Sequence, residues 1–267
     1  MKKALTIAGS DCSGGAGIQA DLKAFSAHGV YGMTVITSIV AENTFRVTDV
    51  QDVRLDMIEK QIDDVFEDMP PDAVKIGMLS NSDIMMTVVK KLRQWKPKNI
   101  VIDPVMYAKH GSALMEKSSI KTLIAHLVAL ADVMTPNIPE AEEIVGMEIK
   151  NHEEMRKAAR LIHQMGCGYV VVKGGHGKGD AIDILFDGKE FYEYLAPRIE
   201  TKHTHGTGCT FSSAIAANLA LGLPVHEAVK MAKEYIHVAI VHAPQFGKGN
   251  GPTHHFYEMY RAYYRED

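Results

Sequence analysis

The stretch ALTIAGSDCSGGAGIQADLKAF, residues 4–25, carries three local signals in succession. Residues 4–9 are a short apolar run, the pattern of a strand buried on both faces of a parallel sheet. Residues 9–17 are dense in glycine, and residues 17–28 return to the spacing of an amphipathic helix. Strand, glycine loop and helix make the opening half of a βαβ unit. The same alternation continues downstream. MTVITSIVA (33–41), AVKIGML (73–79), NIVID (99–103) and YVVVKG (169–174) read as further buried strands, with helical patterns at 55–68, 83–94 and 152–165 between them. Right-handed crossovers then give a doubly wound α/β/α layer fold with a mainly parallel central sheet. Near Asp180 the pattern changes. AIDILFDG and KEFYEYLA predict an antiparallel pair turning at Asp187-Gly188, and helices are expected at 209–221, 225–242 and 253–264. No linker, low-complexity tract or repeat interrupts the chain, so one domain over residues 1–267 is expected.

Composition narrows the function classes. The 267 residues are 46% hydrophobic and 23% charged, ordinary for a globular protein. A formal net charge of −4 and a pI near 6.3 speak against a nucleic-acid scaffold, which must neutralise phosphates. No apolar run reaches the roughly 18 residues that span a bilayer. The apolar start stops at Gly9-Ser10-Asp11, so a buried first strand and a cytoplasmic protein are expected. Cys12, Cys167 and Cys209 are odd in number and far apart, which suits neither a disulfide framework nor a CxxC metal site. The pairs His203/His205 and His254/His255 lack the spacing of a helical zinc motif.

Five segments carry groups suited to a ligand. In the first loop, residues 15–20 fit the G-x-G-x-x-A dinucleotide fingerprint, with Glu42 as an acidic ribose partner. The loop after Gly9 is too long for that tight turn, and a plain βα loop explains its glycines equally well. THGTGCT, residues 204–210, runs straight into the helical FSSAIAANLALG. Backbone N–H groups at Gly206, Thr207, Gly208 and Cys209 can converge there with the helix dipole, which is what a phosphoryl group in transfer requires. Cys209 falls in the first turn, where a thiol pKa tends to fall; packing as a small apolar side chain is the other possibility. Asn137 and Glu140 stand three apart at a helix start. They can hold water and magnesium, or cap the helix. Lys173, Gly174, Gly175, His176 and Gly177 end a strand and suit phosphate contact or a turn. The loop FGKGNGP, residues 246–252, can cover a site or simply connect helices.

The segments ALTIAGSDCSGGAGIQADLKAF, VKIGML, VIDPVM, TPNIPEAEEI, VVVKGGH, TKHTHGTGCTF and GKGNGPTHHF, in this order, span essentially the whole chain. Together they resemble the hydroxymethylpyrimidine/phosphomethylpyrimidine kinases of thiamine biosynthesis, in the ribokinase superfamily. Bacterial pyridoxal kinases share the first motif and HGxGCT. The resemblance implies a three-layer ribokinase-like fold using ATP and Mg2+. It implies phosphorylation of 4-amino-5-hydroxymethyl-2-methylpyrimidine and then of its monophosphate, the alternative being a pyridoxal or pyridoxine kinase. By matching position, Gly206, Thr207, Gly208 and Cys209 form the anion hole. Gly9, Asp21, Glu42, Met78 and Val105 contact the ring. Asn137, Glu140, Lys173 to Gly177, Asp183, Gly208 and Lys233 serve nucleotide and magnesium, with Glu140 the metal-side carboxylate. Asp21, Met78 and Lys233 are singled out by the resemblance alone. The implied partners are small molecules, without nucleic acid or membrane, and a homodimer through sheet edges or helix faces is open. One departure stands out. Many relatives read AQNT where residues 41–44 read AENT; glutamine donates and accepts, whereas ionised glutamate only accepts.

Overall fold

In the central strands, alternate residues face opposite sides of the sheet, and both sides are apolar. The computed structural model describes residues 1–108, 111, 113–175 and 180–264. In β1 (Lys3–Asp11), Leu5 and Ile7 enter one core cluster and Ala4 the other. In β5 (Ile100–Ile102), Ile100 and Ile102 oppose Val101. In β7 (Tyr169–Val172), Val170 and Val172 oppose Val171. Such two-sided burial is what continuous apolar strands require.

The remaining strands are β2 (Tyr31–Asn43), β3 (Arg46–Asp52), β4 (Ala73–Ile76), β6 (Val133–Met134), β8 (Ala181–Phe186) and β9 (Phe191–Ala196). They form a nine-stranded sheet in the order β3-β2-β1-β4-β5-β6-β7-β8-β9. From β2 to β7 all pairs are parallel, while β3 at one edge and β8-β9 at the other run antiparallel. One face is covered by α1 (Gly17–Ala27), α7 (Thr207–Ala220) and α8 (Val225–Val241). The other carries α2 (Leu55–Asp68), α3 (Ser82–Trp95), the short α4 (Ser119–Thr122), α5 (Ile138–Val145) and α6 (His152–Gln164). A last helix, α9 (Tyr257–Tyr264), closes the described chain. No helix among the described residues is long and apolar enough to cross a membrane.

The expected strands and helices are present, with ends shifted by a few residues. Two strands were not anticipated. Almost every residue of β3 is exposed, so the sequence RVTDVQD offers no apolar face. The two-residue β6 is hidden inside the apolar run that precedes Thr135. The expected turn at Asp187-Gly188 forms as the Asp187 carboxylate accepts from the Lys189 and Glu190 amides, with Gly188 at φ 93°.

One buried ion pair ties the sheet to the helices on one of its faces. The Asp21 carboxylate of α1 accepts from Lys75 of β4 at 2.9 and 3.0 Å, Thr6 of β1 at 2.6 Å and Ser213 of α7 at 2.7 Å. Both ion-pair side chains are fully buried. Burial alone would lower the Lys75 pKa, but Asp21, followed by Cys209 and Asp103, holds it above its usual range. Removing one partner strands the other charge in the core. Lys75→Met is therefore expected to cost about 3–5 kcal/mol in urea unfolding; a loss below about 1 kcal/mol, the surface-pair range, would contradict this role.

Candidate active site

A cleft of about 600 Å3 opens beyond the carboxyl ends of the parallel strands, the usual ligand position in open α/β sheets. Its floor is the start of α7. Gly206 precedes the helix at φ 75°, and a Cβ there would collide with the Gly15 carbonyl oxygen. Both facts require glycine. Thr207, Gly208 and Cys209 begin the helix, where N–H groups lack intrahelical acceptors; the Thr207 amide makes a long bond, 3.4 Å, to the Thr204 carbonyl before the helix. All three line the cleft, as does Gly206.

The first loop is locked against this floor by Asp11. Its Oδ2 accepts from the Gly15 and Ala16 amides at 3.0 and 2.7 Å and lies 2.8 Å from His205 Nε2. Ser13 donates to the same carboxylate through its amide and hydroxyl. Burial would raise the Asp11 pKa, but the hydrogen bonds from His205 and Ser13, with the charge of His205, hold it well below the usual carboxylate range. The fingerprint amides are thus consumed by a side chain of the protein itself. A nicotinamide enzyme would need those amides for a pyrophosphate, so that alternative loses its basis.

Glu42 lines the cleft beside this lock. One ligand atom from each of Asp11, Glu42 and His205 lies within 4.8 Å of the others. Burial first, then the negative charge of Asp11, raises the Glu42 pKa to about 7, with His205 opposing. Near neutral pH Glu42 is thus close to half-protonated. In its acid form it donates and accepts as glutamine does, so the departure at position 42 is smaller than its formal charge implies.

The far end is built from β5, β6 and β7. Asp103, just after β5, accepts from Lys173 Nζ at 2.6 Å and from the Thr135 hydroxyl at 3.1 Å. A Cβ at Gly208 would lie 3.3 Å from both Asp103 Oδ2 and Lys173 Nζ, so the first turn of α7 sits on this pair. Asn137 and Glu140 form a capping box, each accepting from the other's amide, and both also line the cleft. The helix-cap alternative is thereby realised without removing either residue from the site. Burial raises the Glu140 pKa to about 7, with Lys173 opposing and Asp103 adding to the rise. Lys233 of α8 donates to Asp183 of β8 at 2.8 Å, and Asp183 accepts from the Gly174 amide at 2.9 Å.

Of the residues expected here, Glu42, Val105, Asn137, Glu140, Lys173, Gly175, Asp183, Gly206, Thr207, Gly208, Cys209 and Lys233 line the cleft. Four others do not line it. Asp21 is fully buried with its oxygens engaged by Thr6, Lys75 and Ser213, so ring contact gives way to a holding role. Gly9 and Met78 pack on each other, a Cβ at Gly9 lying 3.1 Å from Met78 Sδ. Gly174 lies against the Ile182 carbonyl. His176 and Gly177 lie outside the described residues. The expected fall in the Cys209 pKa is also corrected: burial pushes the thiol up to about 12, Asp21 and Asp103 add to the rise, and Lys75 only partly offsets it. Asp11, Asp103 and His205 were not selected from the sequence. Asp11 ends β1 and Asp103 follows β5, a position that could have marked both.

Comparison with known proteins follows the same lines. Residues 11–254 match the family model for phosphomethylpyrimidine kinase. A hydroxymethylpyrimidine/phosphomethylpyrimidine kinase from Bacillus subtilis is 44% identical over 95% of this chain and 94% of its own length. A thiamine biosynthesis bifunctional protein from Geobacter sulfurreducens is 47% identical over 94% of this chain, which spans 51% of that longer protein. The crystal structure of an ADP complex of Bacillus subtilis pyridoxal kinase superposes with a TM-score of 0.90 at 43% identity, covering 96% of this chain and 98% of the other. The architecture is thus that of the ribokinase-like kinases.

The raised Glu42 pKa has a consequence for stability. Between about 4.5 and about 7 the folded protein holds a proton at Glu42 that the unfolded chain has released, so this group's contribution falls as pH rises through that window. Glu42→Gln removes the effect. Urea midpoints of the variant and the unaltered protein are expected to converge near pH 5 and to separate by pH 8, with the variant more stable. A constant separation at both pH values would contradict the shift.

Proposed function

The chain belongs to the phosphomethylpyrimidine kinase family, and from that membership we propose that it transfers the γ-phosphoryl group of ATP to 4-amino-5-hydroxymethyl-2-methylpyrimidine. A second transfer to the monophosphate yields the diphosphate used in thiamine assembly. One observation carries this proposal: the start of α7 lies on the cleft floor between Glu42 on one side and the Asp103–Lys173 pair on the other. The acceptor ring occupies the Glu42 end, where a partly protonated carboxyl matches an amino group beside a ring nitrogen. The nucleotide phosphates occupy the end lined by Lys173, Gly175 and Lys233.

Phosphoryl transfer through a loose transition state calls for positioning and charge stabilisation more than for a strong base. The amides of Thr207, Gly208 and Cys209 supply fixed donors for the equatorial oxygens. With its pKa near 12, the Cys209 thiol is neutral and does not take the hydroxyl proton. Its task is to orient the hydroxymethyl group, whose proton passes late to an oxygen of the phosphoryl group being transferred. For Mg2+ the donor set fits. Asp103 and Glu140 are buried carboxyls that share one ammonium, Lys173, and burial first, then the charge of Asp103, raises the Glu140 pKa. Glu140, with Asp103, would hold the ion, which when bound neutralises charge on the β- and γ-phosphates. The continuous sheet supports treating residues 1–267 as one kinase domain, and a cytoplasmic location is part of the same proposal.

Release of ADP, followed with the pyrimidine, its monophosphate, pyridoxine and pyridoxal as acceptors, tests the proposal. The pyrimidine is expected to show a higher kcat/KM than pyridoxal; the reverse order would make the chain a vitamin B6 kinase. Cys209→Ala is expected to lower kcat more than it raises KM for the acceptor. An unchanged kcat would assign Cys209 to packing.

A further inference from the structure

The segment GKGNGPTHHF, residues 247–256, takes no part in the chemistry described so far, yet it is fastened to both sides of the acceptor end. The Asn250 amide donates to the Thr44 carbonyl at 2.7 Å, and the Gly249 amide to the Thr44 hydroxyl at 3.0 Å. Thr44 follows Glu42 by two residues. Further along, the His205 amide donates to the Gly251 carbonyl at 3.0 Å, and Pro252 makes a parallel bridge with His205. The segment then places His255 below the first turn of α7. The His255 carbonyl accepts from the Tyr235 hydroxyl of α8 at 2.8 Å.

His255 Nε2 lies 2.9 Å from the Thr210 hydroxyl, and that hydroxyl donates to the Gly206 carbonyl at 2.8 Å. Thr210 has one hydroxyl hydrogen, and it is directed to Gly206, so the imidazole donates to Thr210. Thr210 is fully buried and His255 is 5% exposed, so water does not compete for these bonds. Burial, then Lys23 and His254, lowers the His255 pKa to about 4, and the ring stays neutral at working pH. The Gly206 carbonyl and the Thr207 N–H are two ends of one planar peptide group. The Gly206 oxygen also accepts from the Thr210 amide at 2.9 Å. Donors gathered on that oxygen fix the plane of the peptide and polarise its N–H, which at the cleft floor makes one long bond, 3.4 Å, to the Thr204 carbonyl.

We infer that His255 is a positioning residue for phosphoryl transfer, acting through the Thr210 hydroxyl on the Gly206–Thr207 peptide that faces the transferred group. The strap that carries it links that peptide to Thr44, beside the carboxyl that receives the acceptor ring. This role rests on the anion-hole assignment of residues 206–209. It acts on the orientation of a donor rather than on ligand binding, so its signature lies in kcat and not in KM.

Steady-state kinetics on five single variants and one double variant test it. Thr210→Val and His255→Leu are each expected to lower kcat about ten-fold, with KM for ATP and acceptor within about two-fold, less than the loss of a direct oxyanion donor. Thr210→Ser and His255→Gln, which keep a hydroxyl and a donor, are expected to recover most of the activity. The double variant Thr210→Val/His255→Leu is expected to be no slower than the worse single variant, because both cut one chain. An unaltered kcat in Thr210→Val, a loss confined to KM, or losses that multiply in the double variant would overturn the role. Should His255→Leu fail to fold, Thr210→Val and its serine counterpart decide the question. Gly208→Ala, which crowds the Asp103–Lys173 pair, separates the two levels. An untouched kcat there overturns the anion hole and this role together. A fall there with Thr210→Val unchanged overturns only the role of His255.

Discussion

The hydrogen bond between Asp11 and His205 joins residues 194 positions apart and sets the geometry of the cleft. It works because glycine stands at each close approach. His205 occupies the space a side chain on Gly15 would need, and the Gly15 carbonyl occupies the space a side chain on Gly206 would need. The loop after β1 and the turn into α7 can therefore lie backbone to backbone. α1 and α7 then pack on one another and on the same face of the sheet, which sets the first turn of α7 at the carboxyl ends of the strands. Loosening this clasp would separate the acceptor end from the transfer centre while leaving each half locally intact.

Charge in and around the site follows a simple pattern. Three buried carboxylates have lysine partners: Asp21 with Lys75, Asp103 with Lys173, and Asp183 with Lys233. Two carboxyls on the cleft wall, Glu42 and Glu140, lack comparable compensation, and both have pKa values raised to about 7. They stand at opposite ends of the transfer path. The first is suited to a ring that brings a hydrogen-bond donor, and the second to a cation. A protein with these groups fully paired would have less reason to bind either ligand, since buried pairs already satisfied gain little from a third charge.

Much of the fold was legible because strands buried on both faces must be continuously apolar, as residues 4–9 and 169–174 are. β3 was not, because an exposed edge strand carries no such constraint. In the site, THGTGCT was legible from local physics, since a glycine-rich helix start exposes amides whatever surrounds it. The Cys209 pKa was not. A helix start lowers a thiol pKa locally, but here burial and the carboxylates of Asp21 and Asp103, brought in from distant strands and helices, reverse the direction. Asp11 and Asp103 lay inside quoted motifs, and only the strand ends reveal their tasks. Asp21 shows the opposite case. Family position pointed to it as a contact to the ring, while its partners, Thr6, Lys75 and Ser213, make it a buried support.

The central claim is that one cleft carries out two successive transfers onto an aminopyrimidine. The most direct measurement is phosphorus NMR of the product formed from 4-amino-5-hydroxymethyl-2-methylpyrimidine with excess ATP. Two coupled doublets of a diphosphate ester, preceded in time by a monoester singlet, are the expected result. A spectrum in which the pyrimidine remains unphosphorylated, while pyridoxine under the same conditions gives its monoester, would contradict it.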